Sequence, residues 1–445
     1  MNLIQISKIC NGKLNKNNNI QIKGFSTDTR TIRKGEIYVA LIGENLDGHR
    51  FIKSAFEKGA AACIVSDKKV VNDKNSFILV DDTLKALQDL AKNVRKENNV
   101  PVVAITGSVG KTSTRDLIGS VVSSHFNTMK TKGNLNNEIG LPLTLLKYKK
   151  EEAMVLEMGM NHMREIALLA DIARPNIGVI TNVGTAHIGN LGSRENILKA
   201  KLEIAEQFTE KDTLIINIDN NLLHNFYKNN NVKYKIKTFA INRDADFKAE
   251  NVVLNERNSS FDCNGHHFVI NVPGEHFVLN ALSAIAVGDT MGIPYDKIQN
   301  AISNFALTEN RMDFIKLDKI EIIDGSYNAN LDSMISSLKV LGKQKKRKVA
   351  ILADMLELGK YSKELHHKVG EAVVENNVDL LICIGHEAKE IYEGAAECKN
   401  KIWSLNNKLA IDDLLREIHE GDIVLVKGSM LMNLKEIVAY LKNNF

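Results

Sequence analysis

Residues Gly107 to Thr112, which read GSVGKT, have types and a spacing that suit a chemical task. The two glycines lack a Cβ atom, so the backbone can approach a ligand closely. Loop N–H groups, the positive end of a following helix and the ammonium of Lys111 would together attract an anion. The Thr112 hydroxyl could bind a Mg²⁺ ion carried by that anion. The pattern therefore predicts a phosphate-binding loop.

The residues around this loop predict the elements that position it. Val102–Ile105 is an apolar run of strand length, and apolar residues recur at helical spacing after the loop. The match to the strict phosphate-loop pattern is incomplete, because Ile105 stands where a first glycine is expected. The alternative is an ordinary glycine-rich turn. The strand–loop–helix context favours nucleotide binding, with the following contacts: Gly107, Ser108, Val109, Gly110, Lys111, Thr112 and Ser113.

Polar residues also follow the neighbouring predicted strands. Glu157 ends the strand AMVLEM, and Thr181 and Asn182 end the next apolar run. Ligands of parallel sheets collect beyond the carboxyl ends of the strands. Glu157 is therefore a candidate Mg²⁺ ligand, and the alternative is a solvated carboxylate. His187 lies in a glycine-punctuated loop and is either a ligand or a surface residue.

Lys201 occupies an unusual place on a predicted helix over residues 195–208. At about 100° per residue it falls inside the apolar face, with Ile197 and Ile204. Glu203 falls on the polar face of the same wheel. An amine inside the apolar face must snorkel, be paired or have a lowered pKa. A neutral amine could react with CO₂ to give a carbamate, which is an anionic metal ligand.

Amide side chains are concentrated between Gly133 and Pro142, where Asn134, Asn136 and Asn137 occur together. Amides donate and accept hydrogen bonds, which suits recognition of peptide or sugar groups. The alternative is a simple turn, because asparagine is common in turns. The polar segment Ser26–Arg30 (STDTR) is also typical of a capped turn.

Composition excludes several classes of protein. The chain has 445 residues, 44% apolar and 25% charged, with a net charge of +4. No basic tract beyond Lys343–Lys348 indicates a nucleic-acid partner, and this run is expected to be a solvated loop. No signal peptide or apolar run of membrane-spanning length is apparent. Five dispersed cysteines suit a reducing cytoplasm. We expect a cytoplasmic monomer without nucleic-acid or membrane partners.

Alternating strand and helix patterns predict an α/β protein of three domains. Residues 1–98 form a small α/β unit that ends in a polar, proline-terminated segment. Residues 99–313 form a mainly parallel sheet with helices on both faces, the phosphate loop and a β-hairpin at Asn264–Gly265. Residues 314–445 form a smaller open, Rossmann-like α/β domain.

Five segments in this order resemble motifs of the Mur ligases of peptidoglycan synthesis. They are TGSVGKTS (106–113), GNLNNEIGLP (133–142), EMGMNH (157–162), TNVGTAHIGNLGS (181–193) with the following Ala200-Lys201, and SYNANLDSM (326–334). The family's loop reads TGxxGKT, which accounts for Ile105. The YNAN string is similar to the members that add D-alanyl-D-alanine. Gly325, Leu331 and Ala353 depart from the family pattern, where aspartate, proline and glycine are expected.

The resemblance, which covers nearly the whole chain, implies an ATP- and Mg²⁺-dependent ligase. Its substrates would be UDP-N-acetylmuramoyl-tripeptide and D-alanyl-D-alanine, joined through an acyl phosphate. The three domains would bind the UDP substrate, ATP and the incoming dipeptide, in that order. The implied roles are ATP phosphates for Lys111 and the loop; Mg²⁺ for Thr112, Glu157, His187 and a carbamylated Lys201; nucleotide for Asn280, Arg311 and Asp324; UDP for Ser26, Asp28 and Arg30; peptide for Asn134, Asn136 and Asn137; and dipeptide for Tyr327 and Asn328.

Three other interpretations share the phosphate loop. A folylpolyglutamate synthetase-like ligase would use the same chemistry on folate, but the asparagine-rich loop and YNAN argue against it. A kinase would transfer phosphate to a hydroxyl and would not depend on an amine. A non-catalytic module would bind ATP without turnover. Phosphate release that requires both implied substrates separates these alternatives.

Overall fold

The structure, a computed structural model, describes residues 1–16, 20–306 and 311–445. Within these residues the strands form four sheets, with five, seven, three and six strands. Helices connect most of the strands, and most neighbouring strands in the larger sheets are parallel. The α/β class predicted from the sequence is confirmed.

The first sheet has the order β1-β5-β4-β3-β2, and only its edge strand β1 is antiparallel to its neighbour. One apolar cluster packs on each face, so the sheet is covered on both sides. Its elements are α1 (Leu3–Ile9), β1 (Lys13–Leu14), β2 (Gly24–Ser26), β3 (Glu36–Val39), α2 (Ile52–Glu57), β4 (Ala62–Val65), β5 (Phe77–Leu79) and α3 (Thr83–Glu97).

The second sheet is parallel throughout, in the order β12-β11-β10-β9-β6-β8-β7. Strand β6 lies between β8 and β9, so the loops that follow these three strands meet at one edge. The elements are β6 (Val102–Thr106), α4 (Lys111–Ser123), β7 (Thr128–Lys130), α5 (Gly140–Leu145), β8 (Ala153–Glu157), α6 (Glu165–Ala173), β9 (Ile177–Ile180), α7 (Ile188–Leu191), α8 (Arg194–Leu202), β10 (Thr213–Asn217), α9 (Asn221–Asn229), β11 (Lys235–Ala240) and β12 (Phe247–Lys248).

A small antiparallel sheet, β13-β14-β15, follows the parallel sheet. The predicted hairpin at Asn264–Gly265 is present, because β14 and β15 pair in antiparallel fashion across this turn. Helix α10 packs against α4 and carries buried side chains toward the phosphate loop. The elements are β13 (Glu250–Leu254), β14 (Ser259–Cys263), β15 (His266–Ile270), α10 (Glu275–Thr290) and α11 (Tyr295–Ser303).

The last sheet has the order β16-β17-β21-β18-β19-β20, with only β16 antiparallel. One of its apolar clusters is continuous with the core of the second sheet, and the other is separate. The elements are β16 (Asp313–Lys316), β17 (Glu321–Gly325), α12 (Leu331–Gly342), β18 (Lys348–Ala353), α13 (Ser362–Glu375), β19 (Leu380–Ile384), α14 (Lys389–Gly394), β20 (Lys401–Ser404), α15 (Asn407–Glu417), β21 (Ile423–Lys427) and α16 (Lys435–Asn444).

Short 3₁₀ helices complete the described secondary structure: Gly48–Phe51, Lys68–Val70, Glu203–Ala205, Gly359–Tyr361 and Met430–Met432. None of the helices in the described ranges combines the length and apolar character needed to cross a bilayer. The domain limits near residues 98 and 313 remain predictions.

The helix predicted around Lys201 is shorter than the sequence pattern suggested. Ser193 caps it as expected, by accepting the N–H of Asn196 at 3.2 Å. The α-helix ends at Leu202, and a 3₁₀ turn follows. Glu203, which the helical wheel placed on the polar face, is instead buried. Its carboxylate accepts backbone N–H groups of Arg164 and Ala167 at the start of α6, which offsets the cost of burial.

The basic run Lys343–Lys348 is a loop up to Arg347, as expected, whereas Lys348 begins β18. Much of the charge of the run is paired. Lys346 contacts Glu321 at 3.0 Å, and Arg347 contacts Asp422 at 2.8 Å. The run is therefore not a free cationic patch.

Candidate active site

A cavity of about 730 Å³ lies between the second sheet and the last sheet. Most of the residues singled out from the sequence line it. These are Ser108, Val109, Gly110, Lys111, Thr112, Ser113, Asn134, Asn136, Asn137, Glu157, His187, Asn280, Arg311, Tyr327 and Asn328. The fold thus brings together residues that are up to 220 positions apart in the chain.

The phosphate loop ends in an open helix N-terminus. Gly110 has φ +82°, a left-handed conformation that glycine adopts at little cost, and α4 begins at the next residue. No side chain caps this helix, so its first N–H groups remain available for an anion. Lys111 Nζ donates to the Gly107 carbonyl oxygen at 2.8 Å, which folds the ammonium back over the loop.

Positive charge around the loop affects Lys111 itself. Burial lowers the pKa of Lys111, Glu157 opposes this effect, and the Arg311 guanidinium adds to it. Lys111, at the start of α4, and Arg311, just before β16, therefore place two cations at the same cavity. This arrangement favours a strongly anionic ligand, such as a polyphosphate.

Asn182 organises the loop from the neighbouring strand. Its Oδ1 accepts the N–H groups of Ser108 and Val109 at 3.0 and 2.9 Å. The Thr181 hydroxyl donates to the Val109 carbonyl oxygen at 2.7 Å. Two loop N–H groups therefore bind protein, and the helix N-terminus supplies the free donors.

Gly107→Ala should weaken ADP binding about tenfold or more. A Cβ at this position would overlap the Thr181 hydroxyl, which holds the loop. Overpacking of this kind costs about 1–3 kcal/mol, and about 1.4 kcal/mol corresponds to tenfold in affinity. Calorimetric titration with ADP measures the change. Gly43→Ala is the matched control, because there a Cβ meets only a carbonyl oxygen, at 3.5 Å; equal affinities for both variants would contradict the prediction.

Glu157 ends β8 and is 2% exposed. Its Oε2 accepts the Thr112 hydroxyl at 2.9 Å and an Arg115 N–H at 3.2 Å. Its Oε1 accepts the Asn136 amide at 2.7 Å. The phosphate loop and the asparagine-rich loop thus meet on one carboxylate.

His187 is bound by a residue of the last sheet's domain. Its Nδ1 lies 2.6 Å from Glu357 Oε2, and the Gly189 N–H donates to the Glu357 carbonyl oxygen at 3.1 Å. The Tyr361 hydroxyl also donates to the Gly192 carbonyl oxygen, at 2.8 Å. These contacts hold the loop after β9 against the segment after β18.

Lys201 is 1% exposed, so its ammonium does not reach solvent by snorkelling. Among the described residues, none forms a hydrogen bond or ion pair with Nζ. Burial first, and then the charge of Lys111, lower its pKa well below the usual value. Lys201 also lowers the pKa of His187, so these groups lie close together although Lys201 does not line the cavity. A neutral amine is the form that reacts with CO₂.

Asn280 lines the cavity and has a buried, unused donor. Its Oδ1 accepts the Thr114 hydroxyl at 3.0 Å, whereas its buried Nδ2 has no hydrogen-bond partner among the described residues. An unpaired buried donor costs free energy unless a ligand satisfies it. Opposite, the Arg311 guanidinium stacks over the Tyr327 ring at 3.9 Å. Burial lowers the pKa of Arg311.

Lys427 supports the segment that carries Tyr327 and Asn328. Its Nζ donates to the Asn328 carbonyl oxygen at 3.0 Å, and Asn328 Oδ1 accepts the Met430 N–H at 3.3 Å. Burial lowers the pKa of Lys427 to about 8. The ammonium thus holds the predicted dipeptide-binding segment through its backbone.

Some predicted site residues lie away from the cavity. Asp324 is buried in β17, where its carboxylate accepts the Ser326 N–H at 3.0 Å. Asp28 pairs with the Arg30 guanidinium at 2.7 Å and accepts the Arg30 N–H, and Ser26 Oγ accepts the Asp28 N–H. These contacts are those of a capped turn, the alternative considered from the sequence. Gly107 also does not line the cavity; its carbonyl oxygen accepts the hydrogen bond from Lys111.

Several residues of the cavity wall were not assigned from the sequence. They include Glu44, His276, Lys427 and Met430. Burial lowers the pKa of His276 to about 4, with Lys427 as a second cause. No spacing rule links His276 or Lys427 to the phosphate loop, so the sequence alone gives no signal for them.

The oxygen atoms of Thr112 and Glu157 suit a magnesium ion. No group of three or more histidine, cysteine or acidic side chains that could hold a metal occurs in the described part of the chain. Mg²⁺ in nucleotide sites usually takes one or two protein ligands and completes its shell with phosphate oxygens and water. The adjacent hydroxyl and carboxylate therefore fit Mg²⁺ that arrives with a nucleotide.

Comparison with known proteins identifies the family. Family models of the Mur ligases match three consecutive segments: the catalytic domain at 21–95, the middle domain at 105–288 and the glutamate ligase domain at 310–430. A UDP-N-acetylmuramoyl-tripeptide–D-alanyl-D-alanine ligase of Bacillus subtilis (strain 168) is 38% identical, over 94% of this chain and 92% of the relative.

Solved structures agree with this match. A crystal structure of MurF from Acinetobacter baumannii is similar at a TM-score of 0.92 and 28% identity, covering 100% of this chain and 99% of the other. MurF from Thermotoga maritima in complex with ADP is similar at 0.84 and 28%, covering 94% and 97%. The open helix N-terminus, the Thr112–Glu157 pair and these full-length similarities lead to one conclusion: the chain belongs to the Mur ligase family.

Proposed function

We propose that this enzyme is an ATP-dependent ligase that joins D-alanyl-D-alanine to UDP-N-acetylmuramoyl-tripeptide, a step of peptidoglycan precursor synthesis. The observation that carries the proposal is the meeting of three groups in one cavity. The open N-terminus of α4 with Lys111 suits a triphosphate, the asparagine-rich loop suits a peptide, and Tyr327 with Asn328 suits a second, smaller peptide.

The reaction proceeds in two steps. The terminal carboxylate of the tripeptide attacks the γ-phosphorus of ATP, the bond to the ADP oxygen breaks, and an acyl phosphate forms. The dipeptide amine then attacks the acyl carbon, phosphate leaves with the C–O bonding pair, and the amine loses a proton. Phosphorylation is needed because a free carboxylate has no good leaving group.

The nucleotide contacts are proposed from the geometry of the phosphate loop. The free N–H groups at the start of α4 and the Lys111 ammonium hold the phosphates, and Asn280 satisfies its unused amide on the nucleotide. Arg311 approaches from the other side of the cavity. Asp324 does not line the cavity and acts through Lys427, because it lies close enough to that residue to raise its pKa.

The metal contacts are proposed at the edge shared by β6, β8 and β9. Thr112 and Glu157 would hold one Mg²⁺, and His187 with a carbamylated Lys201 would hold a second. Mg²⁺ neutralises charge on the transferring phosphoryl group. Because Lys201 is buried beside Lys111, a carbamate there would replace an unfavourable cation by an anion.

The substrate contacts follow the same division. Asn134, Asn136 and Asn137 meet the tripeptide, and Tyr327 with Asn328 meets the dipeptide. We assign the UDP end to the domain of residues 1–98, with Ser26, Asp28 and Arg30, although these residues lie outside the cavity. Residues 99–313 bind ATP, and residues 314–445 bind the dipeptide. An ATP-dependent reaction of this kind belongs in the cytoplasm, and we propose a monomer.

One assay tests the proposal. Phosphate release from ATP should require both UDP-N-acetylmuramoyl-tripeptide and D-alanyl-D-alanine, because the amine is needed to complete turnover. Phosphate release without the dipeptide would indicate a hydrolase, and ADP formation without phosphate release would indicate a kinase. ATP binding without formation of ADP would indicate a non-catalytic module. Release with folate and glutamate instead would indicate a folylpolyglutamate synthetase-like ligase. Comparing lysine- and diaminopimelate-containing substrates then identifies the third peptide residue.

A further inference from the structure

Arg115 is a buried cation behind the cavity wall, in contact with Glu157, and no role has been assigned to it above. Its side chain is 3% exposed. One amine of the guanidinium, Nη1, donates to Glu157 Oε2 at 3.2 Å and to the Gly133 carbonyl oxygen at 2.7 Å. The other two nitrogens, Nε and Nη2, donate to the Asp116 carboxylate at 2.9–3.1 Å.

Helical geometry explains why Arg115 reaches Glu157. It follows Thr112 by three residues on α4, so the two side chains lie on one face of the helix. Both donate to the same oxygen, Glu157 Oε2. The carboxylate is thereby held from two adjacent turns of one helix.

The charges of this cluster require the guanidinium. Glu157 and Asp116 are both buried, and Arg115 lies between them. Lys130 contributes a second, more distant cation, 3.4 Å from Asp116 and 44% exposed. Without Arg115, the Glu157 carboxylate would lose its only cation contact within ion-pair distance among the described residues, and its orientation would depend on Thr112 and Asn136 alone.

Arg115 also joins the carboxylate to the asparagine-rich loop. The Gly133 carbonyl oxygen and the Asn136 amide belong to one loop, and both contact the Arg115–Glu157 pair. A shift of this loop therefore changes the hydrogen bonds of Glu157.

We propose that Arg115 is a positioning residue that fixes the Glu157 carboxylate for the metal–nucleotide complex and ties it to the loop that meets the tripeptide. The proposal rests on the proposed function, in which Glu157 binds Mg²⁺. Arg115 touches neither nucleotide nor reacting atoms in this arrangement and acts through Glu157. Partners that orient a metal ligand typically contribute 10- to 100-fold to metal affinity.

The test measures metal binding directly. Mn²⁺ is titrated by electron paramagnetic resonance into the full-length protein saturated with ADP, and ADP affinity is measured separately in EDTA. R115M should lower Mn²⁺ affinity about 100-fold and R115K about 10-fold, the two ends of the range for such partners. A lysine restores the charge but cannot make the contacts to Glu157, Asp116 and Gly133 together. ADP affinity in EDTA should change less than twofold, a split that general damage to the fold would not produce.

Lys130→Ala is the matched control, because it removes the other cation on Asp116 and leaves the Glu157 contact intact. It should bind Mn²⁺ as the wild type does. Wild-type Mn²⁺ affinity in R115M would overturn the proposal, as would equal losses in EDTA and in Mn²⁺. If R115M does not fold, R115K decides, and wild-type Mn²⁺ affinity there overturns the proposal.

Failure of the proposed function gives a different result. In that case the wild type binds Mn²⁺ and ADP but releases no phosphate with the two peptide substrates. The affinities of R115M and R115K still decide the role of Arg115, because neither measurement depends on turnover.

Discussion

Lys111→Ala should lower phosphate release from ATP by about 10²–10³-fold or more, close to abolition. The removal of one preorganised donor from a developing oxyanion costs about 2.7–4 kcal/mol, and Lys111 supplies a full charge as well. Its ammonium is already held over the loop by the Gly107 carbonyl oxygen, so little reorganisation is needed when the phosphates bind. Measurement of phosphate release at saturating concentrations of both peptide substrates tests this result.

Two further measurements separate catalysis from folding. Lys96→Ala, which removes an exposed lysine at the end of α3, should leave the rate unchanged. Thermal unfolding of Lys111→Ala should occur at or above the wild-type temperature, because the lowered pKa of Lys111 shows that burial disfavours its charge. Full activity in Lys111→Ala would remove this residue from the mechanism.

Much of the candidate site could be predicted because its elements are local in sequence. The strand, the glycine turn and the helix around Gly107–Thr112 follow from the residues themselves, and parallel strand order then brings Glu157 to the same edge. The helical periodicity of the apolar residues also placed Lys201 inside the apolar face of its helix. Its burial in the structure agrees with that reading.

The contacts that could not be predicted join residues far apart in the chain. His187 and Glu357 are separated by 170 positions, and Arg115 and Glu157 by 42. Their types are common on protein surfaces, so only the tertiary packing distinguishes them, between two sheets for His187 and Glu357 and between α4 and β8 for Arg115 and Glu157. Glu203 shows the same limit: a helical wheel assigned it to solvent, whereas the start of α6 buries its carboxylate.

The Ser26–Arg30 segment shows a different limit. Resemblance to the family implied a role at the UDP, yet the side-chain hydrogen bonds of Ser26, Asp28 and Arg30 are local, and Lys58 Nζ donates to the Thr29 carbonyl oxygen at 2.8 Å. Local bonding satisfies Asp28 and lowers its pKa, chiefly through the Arg30 side chain. The Arg30 side chain remains 87% exposed, so it is accessible to a ligand.

Lys201→Ala should lower phosphate release about 10²-fold or more and should be partly rescued by acetate or formate. The structure buries Lys201 within electrostatic range of Lys111 and leaves its amine without a hydrogen-bond partner among the described residues. A buried cation beside another cation is unfavourable, and burial accordingly lowers its pKa well below the usual value. In the proposed carbamylation, the neutral amine would add to CO₂, forming an N–C bond and releasing one proton, and the site would gain a carbamate that could bind Mg²⁺.

Rescue is expected because alanine leaves a vacant volume in which a small carboxylate can replace the carbamate. A small carboxylate can enter the volume vacated by the side chain and present oxygen atoms near His187 and Lys111. Lys201 lowers the pKa of His187, and Lys111 lowers the pKa of Lys201, so the three groups interact electrostatically. Acetate should therefore raise the rate of Lys201→Ala in a saturable way, whereas chloride at the same ionic strength should not. The wild type should show no stimulation.

Lys199→Ala provides the matched control on the same helix. Lys199 is exposed on α8 two residues before Lys201, so its removal should change neither the rate nor the acetate response. Incorporation of ¹³C from bicarbonate, followed by NMR of the intact enzyme, should give a carbamate signal in the wild type and in Lys199→Ala but not in Lys201→Ala. An inactive Lys201→Ala that acetate does not rescue, together with no such signal in the wild type, would mean that the amine itself acts and that the second metal position lacks this ligand.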